Sequence, residues 1–182
     1  IERQLGAWML RNRTLVGDYD RFYQNYLPGA VNAAQTTVAL SAYNNATRRR
    51  NAFNQTDLTR QASTGRVRHT LLLGAEFGRQ RTENFRATGY FNNTATSIQV
   101  PYDRPTTNAV AVFRQSATDA DNRLALNLAG VYAQDQIELS RRVQVVAGLR
   151  NDEFDLGYRN NRTAESLRRT DHLVSPRLGL IL

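Results

Sequence analysis

Apolar and polar residues alternate along three segments of the chain, and this two-residue period is typical of a β-strand with one exposed face. Between Val67 and Phe77 the odd positions are mostly apolar, whereas the even positions are polar or glycine apart from Leu72. The same period recurs in residues 143–150 and 174–180. No stretch combines a helical apolar period with helix caps, so the pattern predicts an all-β chain.

Two further segments, residues 5–23 and 124–139, carry apolar residues on both parities and are predicted as strands with less regular faces. In the second of them, Gly130 is a candidate bulge at which the two faces exchange. The patterns together predict about six long antiparallel strands. They cover residues 3–24, 36–63, 67–85, 122–140, 143–158 and 169–182, and the second of them is a candidate for a break near residues 50–54.

The connections between these strands are predicted to alternate between short and long. Thr64-Gly65-Arg66 and Ser140-Arg141-Arg142 are short, whereas about 35 residues, from Arg86 to Asp121, separate the third and fourth strands. Other long connections are expected around Pro28-Gly29 and in the polar residues after Tyr158. This alternation is typical of a transmembrane β-barrel with short periplasmic turns and long extracellular loops.

Composition is compatible with such a barrel and excludes several other classes. The chain has 182 residues, 41% of them hydrophobic, and its mean hydropathy is −0.55. No apolar run is long enough for a transmembrane helix. Cysteine is absent, which removes disulfides and thiol chemistry. The chain begins at Ile1 and ends within an apolar run at Leu182, so we expect an internal fragment of a longer protein.

The chain is strongly basic, with a net charge of +8, and every one of its 24 basic residues is arginine. Such a charge indicates nucleic acid, an anionic membrane surface or an anionic ligand as a partner. Arginine suits the last of these because its planar guanidinium binds paired oxygen atoms.

Four segments, in this order and spacing, resemble the barrel of TonB-dependent siderophore receptors. They are Thr64-Gly65 with His69-Thr70-Leu71-Leu72-Leu73-Gly74-Ala75-Glu76-Phe77; Val131-Tyr132-Ala133-Gln134-Asp135-Gln136; Ala147-Gly148-Leu149-Arg150 with Asp152; and Ser175-Pro176-Arg177-Leu178-Gly179-Leu180. Asn151 departs from the pattern, since the family often has an aromatic residue there. The long loop resembles the ferric-catecholate type, through residues 88–94 and 113–119.

The resemblance implies that residues 1–182 form part of a barrel of about 22 strands, roughly a quarter of its wall, in the bacterial outer membrane. It implies a ferric siderophore as the transported ligand and energy supplied by the TonB complex through a plug domain outside this chain. Outer-membrane lipid and lipopolysaccharide are expected partners, and nucleic acid is not. The same resemblance implies a transporter with no cofactor and no enzymatic activity, and no nucleophile-elbow pattern surrounds any serine.

Two sets of side chains are candidates for function. Arginine and aromatic residues of the extracellular loops suit a bulky anionic iron chelate, because arginine pairs with its oxygens and rings stack on its rings. These ligand-binding candidates are Tyr90, Phe91, Tyr102, Arg104, Phe113, Arg114, Tyr158 and Arg162. Charges predicted to face the lumen, where they would contact a plug or pair across strands, are Glu76, Arg79, Arg150, Asp152, Asp171 and Arg177.

No metal site is predicted, because His69 and His172 are the only histidines and neither has further ligands at close spacing. Two other functions remain open at this point. A porin or an adhesin would use the same strands without a plug. A soluble, basic, β-rich binding module for nucleic acid or polysaccharide is the other alternative, although the order of the four segments argues against it.

Overall fold

A computed structural model describes all 182 residues, and they form one antiparallel β-sheet. No helix in the structure is long and apolar enough to cross a membrane. The sheet has nine strands: β1 (Glu2–Leu5), β2 (Trp8–Val31), β3 (Thr37–Thr64), β4 (Val67–Phe91), β5 (Ser97–Pro101), β6 (Ala111–Arg114), β7 (Asp121–Glu138), β8 (Gln144–Asn160) and β9 (Ser166–Ile181). The all-β antiparallel prediction is confirmed.

The long strands are hydrogen-bonded in the order β1-β2-β3-β4-β7-β8-β9. The short strands β5 and β6 extend this sheet at one end, where β5 pairs with β3 and β6 pairs with β4. The sheet does not close on itself, so β9 and most of β2 each leave one edge unpaired. Both edges are therefore open to pairing with further strands.

Tight turns lie at one end of the sheet, which we call the turn end. Gly6 and Gly65 each occupy the first central position of a two-residue turn with φ of +59° and +62°. Glycine adopts this left-handed conformation without a Cβ clash, and the position is typical of a type II′ hairpin turn. The β7–β8 connection also lies at this end. The opposite end, the loop end, carries residues 32–36, 92–120 and 161–165.

The strand boundaries correct several of the sequence predictions. The first predicted strand is in fact two strands, since the short β1 forms a hairpin with the start of β2. Strand β2 then continues through Pro28 and Gly29, with a register irregularity between Pro28 and Val31. The loop predicted at Pro28-Gly29 is therefore wrong, and the connection lies at residues 32–36. Proline is tolerated there because only part of β2 is paired on both sides.

Other corrections concern the long connections. The predicted 35-residue loop is shorter, because β4 extends to Phe91 and the loop itself forms β5 and β6. The polar residues after Tyr158 form the ends of β8 and β9 around a short turn. The break expected near residues 50–54 is absent, since β3 is continuous. Gly130 is not a bulge, because the register of β7 with β4 and β8 is unbroken there.

Hydrophobic packing is concentrated in two places. At the loop end, Val38, Leu40, Ala42, Phe91 and Val100 form the only buried apolar cluster. Outside this cluster, a second group of apolar side chains forms a belt on one face, which we call the outer face. The belt comprises Leu10, Leu58, Leu71, Leu73, Phe77, Val131, Leu149, Val174, Leu178 and Leu180.

The belt lies open to its surroundings, with Phe77 58% and Leu178 83% exposed. On β4 the belt spans residues 67–77 and is followed directly by Arg79 and Arg81 on the same face. At about 3.3 Å per residue and the usual strand tilt in barrels, that length corresponds to an apolar band about 25 Å tall.

Candidate functional site

The face opposite the belt, which we call the inner face, is concave and, at the level of the belt, mostly polar. Arg13 on β2 and Arg177 on β9, at opposite sides of the sheet, line one groove of about 860 Å³, which requires the sheet to curl around this face. The pairing registers place Glu76, Arg150, Asp152, Asp171 and Arg177 on it. Arg79 has the opposite parity on β4 and lies on the outer face, so its predicted lumen-facing position is wrong.

A first polar cluster on the inner face is centred on Tyr132 of β7. Its hydroxyl donates a hydrogen bond to the carboxylate of Asp57 on β3 and accepts one of 2.9 Å from Nε2 of Gln55. To reach β3 the ring lies over Gly74 on the intervening β4, where any Cβ would overlap it. Arg13 on β2 lies 3.7 Å from Asp57, so this cluster connects four neighbouring strands.

A second cluster is centred on Arg150 of β8. Its Nε donates hydrogen bonds of 2.9 Å and 2.8 Å to the two carboxylate oxygens of Asp152, and its Nη2 donates one of 2.8 Å to Glu76 on β4. Here the long side chain crosses β7 at Gly130, which would bring a Cβ within 2.8 Å of Nη2. The guanidinium also lies 5.3 Å from the centre of the Tyr132 ring, which joins the two clusters.

The side chains of the two clusters are held by one another through hydrogen bonds and ion pairs, and their central carboxylates are largely removed from solvent. Asp57 and Asp152 are only 8% and 6% exposed, yet each is bound by at least one donor. Arg177 is more exposed and donates a hydrogen bond of 3.2 Å to Gln134, while Asp171 pairs with Arg169 at 2.8 Å. The charges of the two clusters are paired with one another, and Arg11 is paired with Glu2, so Arg177 is the arginine of the groove without an acidic partner.

At the loop end, the inner face carries two stacks of arginine on tyrosine. The guanidinium of Arg114 on β6 lies 3.7 Å from the centre of the Tyr90 ring, and that of Arg86 lies 3.9 Å from the centre of the Tyr43 ring. Arg114 is held in place by a hydrogen bond of 3.1 Å to the carbonyl of Asn93. A cation fixed over an aromatic face can offer both a charge and a flat surface to an anionic aromatic ligand.

The long loop is anchored by the carboxylate of Asp119, whose side chain is almost fully buried. It accepts hydrogen bonds of 3.0 Å and 2.7 Å from the backbone N–H groups of Thr88 and Ser116, and further ones from the Thr88 hydroxyl. Burial alone would raise the pKa of Asp119, but these hydrogen bonds outweigh it and hold the pKa below its ordinary value. Arg162 from the next loop donates to the carbonyls of Ser116 and Asp119 and ties the two loops together.

The predicted ligand-binding residues are therefore spread over different surroundings. Tyr90 and Arg114 are stacked on the inner face, and Tyr158 points to the same face from β8. Tyr102 and Arg104 are exposed beyond β5. Phe91 is fully buried in the apolar cluster and is not available to a ligand, whereas Phe113 is partly buried and packs against that cluster.

Several residues of the inner-face clusters were missed by the sequence reasoning. Tyr132, Asp57, Gln55 and Arg13 were not among the candidates, although their parity follows from the strand registers. One feature of the sequence does point to this cluster. Gly74 is a glycine at a polar position of β4, and the register places it opposite the aromatic Tyr132.

No group of three or more acidic or histidine side chains is placed to hold a metal ion. Each of the two histidines lies on the outer face beside one carboxylate. His69 Nδ1 lies 2.7 Å from Asp135 Oδ2, and His172 Nδ1 lies 3.7 Å from Glu153 Oε2.

Solved structures show the same fold. The siderophore receptor PiuA from Acinetobacter baumannii is 18% identical and superposes with a TM-score of 0.81 over 98% of this chain and 28% of its own. BauA, the ferric preacinetobactin receptor from Acinetobacter baumannii, is 13% identical and superposes with a TM-score of 0.70 over 97% of this chain and 26% of its own. The ferric citrate transporter FecA is 14% identical and superposes with a TM-score of 0.62 over 98% of this chain and 23% of its own. The chain thus spans about a quarter of the length of each.

No curated protein sequence matches the chain. A protein-family model does match: the family described as "TonB dependent receptor-like, beta-barrel" covers residues 4–182, which is nearly the whole chain. Together with the antiparallel sheet, its apolar outer belt and its polar inner face, this match shows that the chain belongs to the TonB-dependent receptor β-barrel family.

Proposed function

We propose that this chain is part of the wall of a bacterial outer-membrane receptor that takes up ferric siderophores. In this proposal the outer belt faces lipid, the turn end is periplasmic and the loop end is extracellular. Family membership and the belt height of about 25 Å support the location. The remaining wall, of about 22 strands in all, and the plug that receives energy from the TonB complex would come from outside residues 1–182.

The observation that carries the ligand assignment is the pair of arginine–tyrosine stacks on the inner face at the loop end. Tyr90 with Arg114 and Tyr43 with Arg86 place two guanidinium–ring stacks where a ligand would enter the concave side of the wall. Arg86 is also paired with Asp119 at 3.5 Å, so Arg114 is the cation of the two without an acidic partner. A ferric chelate with catecholate arms is anionic and aromatic, so it matches both features. The chelate brings its own oxygen ligands for iron, so the protein would bind the chelate as a whole.

The inner-face clusters suit a second role in the same protein. A plug inside the barrel would contact the inner face, and the groove offers Arg177, which has no acidic partner, for an acidic group of that plug. Arg11 and Arg13 also line the groove, but they are paired with Glu2 and Asp57. In this proposal the charges of the clusters around Tyr132 and Arg150 hold the wall rigid, and Arg177 makes the contact.

The proposal is tested by growth of a strain deleted for the gene that encodes this chain. Under iron limitation, single ferric siderophores of the catecholate, hydroxamate and citrate classes are supplied as the only iron source. We expect loss of growth on a catecholate chelate, with recovery when the intact gene is restored and no recovery when the TonB complex is disabled. Unimpaired growth on every chelate would exclude the siderophore assignment.

A further inference from the structure

An apolar strip lies on the inner face, between the polar clusters and the arginine–tyrosine stacks. Three residues of β7 have inner-face parity there, and each is aligned with an apolar residue of β8. The aligned pairs, which together we call the apolar strip, are Leu124 with Tyr158, Leu126 with Leu156, and Leu128 with Phe154. The lumen side of a membrane barrel is ordinarily polar, so an apolar surface on this side indicates contact with a ligand or partner.

Polar residues bound the strip at both of its ends. Towards the turn end the next aligned pair is Gly130 with Asp152, whose carboxylate belongs to the second polar cluster. Towards the loop end the next pair is Asn122 with Asn160, and Asn122 accepts a hydrogen bond of 3.1 Å from Asn84. The strip therefore runs from Leu124 to Leu128 along the strands, which corresponds to about 13 Å at about 3.3 Å per residue.

Neighbouring strands widen the strip without covering it. An added Cβ at Gly78 on β4 would overlap the ring of Phe53 and lie 3.5 Å from the Cβ of Leu128, so this ring lies beside the strip. On β9, Leu167 is aligned with Tyr158 and is 58% exposed. The six side chains of the strip are themselves only partly buried. Since apolar area left in water is unfavourable, a ligand that covers the strip would gain free energy.

The side chains of the strip suit an alkyl chain better than a ring or a charged group. Four of the six residues are leucine, and none carries a charge. Leucine side chains bind methylene groups by removing apolar area from water. They provide neither the flat face nor the cation that the arginine–tyrosine stacks present to an anionic ring. The strip and the stacks therefore differ in the part of a ligand that each can hold.

The strip begins a short distance from the stacks, on the same face. Leu124 is aligned with Thr82 on β4, and Arg86 follows four residues later on that strand, at about 13 Å towards the loop end. Asn84 is the inner-face residue between them on β4, so no apolar side chain of this strand separates the strip from the stack. A ligand held at the stacks could therefore extend an alkyl chain towards the turn end, along the strip.

We propose that the apolar strip binds the acyl chain of an amphiphilic ferric chelate, so that the transported siderophore carries a fatty-acyl tail. This inference rests on the proposed function and deepens it, because the stacks would hold the anionic head of the same ligand. The position of the strip favours a ligand over a plug as its occupant. It lies on the loop side of the polar clusters, where the ligand enters, whereas the groove with Arg177 lies at the level of the belt.

The test uses the full-length receptor that contains this chain, in nanodiscs, with empty nanodiscs as the blank for partition of the tail into lipid. The probes are the ferric complexes of one bis-catecholate chelator with and without a dodecanoyl chain, labelled with radioactive iron. The test variant is Leu126→Gln with Leu156→Gln, at the centre of the strip. A conservative variant, Leu126→Met with Leu156→Met, keeps the strip apolar. Unchanged heat-modifiable migration on gels shows that each variant retains a folded barrel.

The matched control is Leu72→Gln with Val146→Gln. Both residues are apolar and lie on the inner face, but they are on the turn side of the polar clusters. The control therefore introduces the same two amide groups on the same face and leaves the strip intact.

We expect the wild type to bind the acylated chelate about tenfold more tightly than the unacylated one, which corresponds to about 1.4 kcal/mol. In the test variant the two chelates should bind equally well, with unchanged affinity for the unacylated one. The methionine variant and the control should both retain the tenfold gain from the acyl chain.

Three results would overturn the proposal. Equal binding of the two chelates by the wild type would show that another part of the receptor, such as the plug, covers the strip. A gain that persists in the test variant would show that the tail binds elsewhere. Equal loss of the gain in the test variant and the control would show that the polarity of the inner face as a whole, and not the strip, determines binding.

The outcome is separable from that of the proposed function. Binding of the unacylated chelate reports on the siderophore assignment, and the ratio of the two affinities reports on the strip. Failure of the wild type to bind either chelate would count against the siderophore assignment and against the inference that rests on it. Binding of the unacylated chelate without a gain from the acyl chain would count only against the strip.

Discussion

Arg150 on β8 reaches across β7 and donates a hydrogen bond of 2.8 Å to Glu76 on β4. The side chain therefore runs perpendicular to the strands and connects β8 with a strand that its backbone does not touch. Tyr132 makes the equivalent crossing from β7 to Asp57 on β3. Both side chains connect strands across the sheet, perpendicular to the strand direction. They therefore stabilise its curvature in addition to the backbone hydrogen bonds between neighbouring strands.

Replacement of Arg150 by glutamine should destabilise the barrel. The carboxylates of Glu76 and Asp152 would lose their shared cation, and Asp152 is too buried to be fully hydrated. We expect the free energy of unfolding to fall by about 1–3 kcal/mol, below the range for a fully buried pair because the Arg150 side chain is one-third exposed. Urea unfolding of the full-length receptor in detergent micelles measures the change.

The matched control is Arg177→Gln, which removes an inner-face arginine with a single hydrogen bond and should cost less than about 0.5 kcal/mol. Adding Asp152→Asn to Arg150→Gln should restore part of the lost stability, since it removes the carboxylate left without a cation. Simple additivity of the two losses would contradict the coupling of these residues.

A methyl group at Gly74 should disrupt the other crossing. The Cβ of Gly74→Ala would overlap the ring of Tyr132, which cannot turn away without leaving Asp57. Such overpacking costs about 1–3 kcal/mol, and we expect a matching fall in stability under the same unfolding conditions. Gly157→Ala is the control, because its new Cβ meets one carbonyl at ordinary contact distance. Equal stability of the two variants would show that Tyr132 is not held over Gly74.

The periodicity of the chain was sufficient to predict the sheet and the alternation of its faces. It predicted that Glu76 and Arg150 share a face, since parity follows from the strand alone. It could not predict that they touch, because contact across β7 depends on the register of three strands and on Gly130. The prediction for Arg79 was wrong for another reason, since its odd position on β4 already places it on the same face as Phe77.

The loops were less predictable for a different physical reason. Phe91 and Tyr90 are neighbours, and both have the chemistry of a ligand contact. Strand β4 continues through them, so one points to the inner face and the other into the apolar cluster. Where the sequence indicated a loop, no parity could be assigned. The anchoring role of Asp119 likewise depends on a turn that brings it back to Thr88.

The anchor at Asp119 should respond to acid in a defined direction. Because the folded-state pKa is depressed, the carboxylate contributes stability above the unfolded-state pKa of about 3.9, and that contribution is lost as the pH falls through the folded-state value. Hydrogen exchange of the Thr88 and Ser116 amides measures it. We expect protection to be constant from pH 7 to about 4 and to decrease at lower pH.

Asp119→Asn is the matched variant for this experiment. The amide keeps the size of the side chain and loses its charge, so both amides should exchange faster at pH 7 and show no transition on acidification. Arg162 should remain bound to the backbone carbonyls in this variant, so protection elsewhere in the two loops is the internal reference. Loss of wild-type protection at pH 5 to 6 would contradict a depressed pKa.

The stack of Arg114 on Tyr90 should determine affinity for an aromatic ferric chelate. In Arg114→Ala the inner face loses a cation and a flat surface together, and we expect about tenfold weaker binding of a ferric catecholate by the full-length receptor. Quenching of intrinsic fluorescence gives the dissociation constant.

Arg114→Lys should recover little of this affinity, because an ammonium group keeps the charge but cannot present a planar surface over the ring. Arg104→Ala is the control for charge alone, since Arg104 is an exposed loop residue that is not stacked on a ring. Full affinity in Arg114→Lys would show that charge is sufficient. Equal losses in Arg104→Ala and Arg114→Ala would show that the stack has no special role in binding.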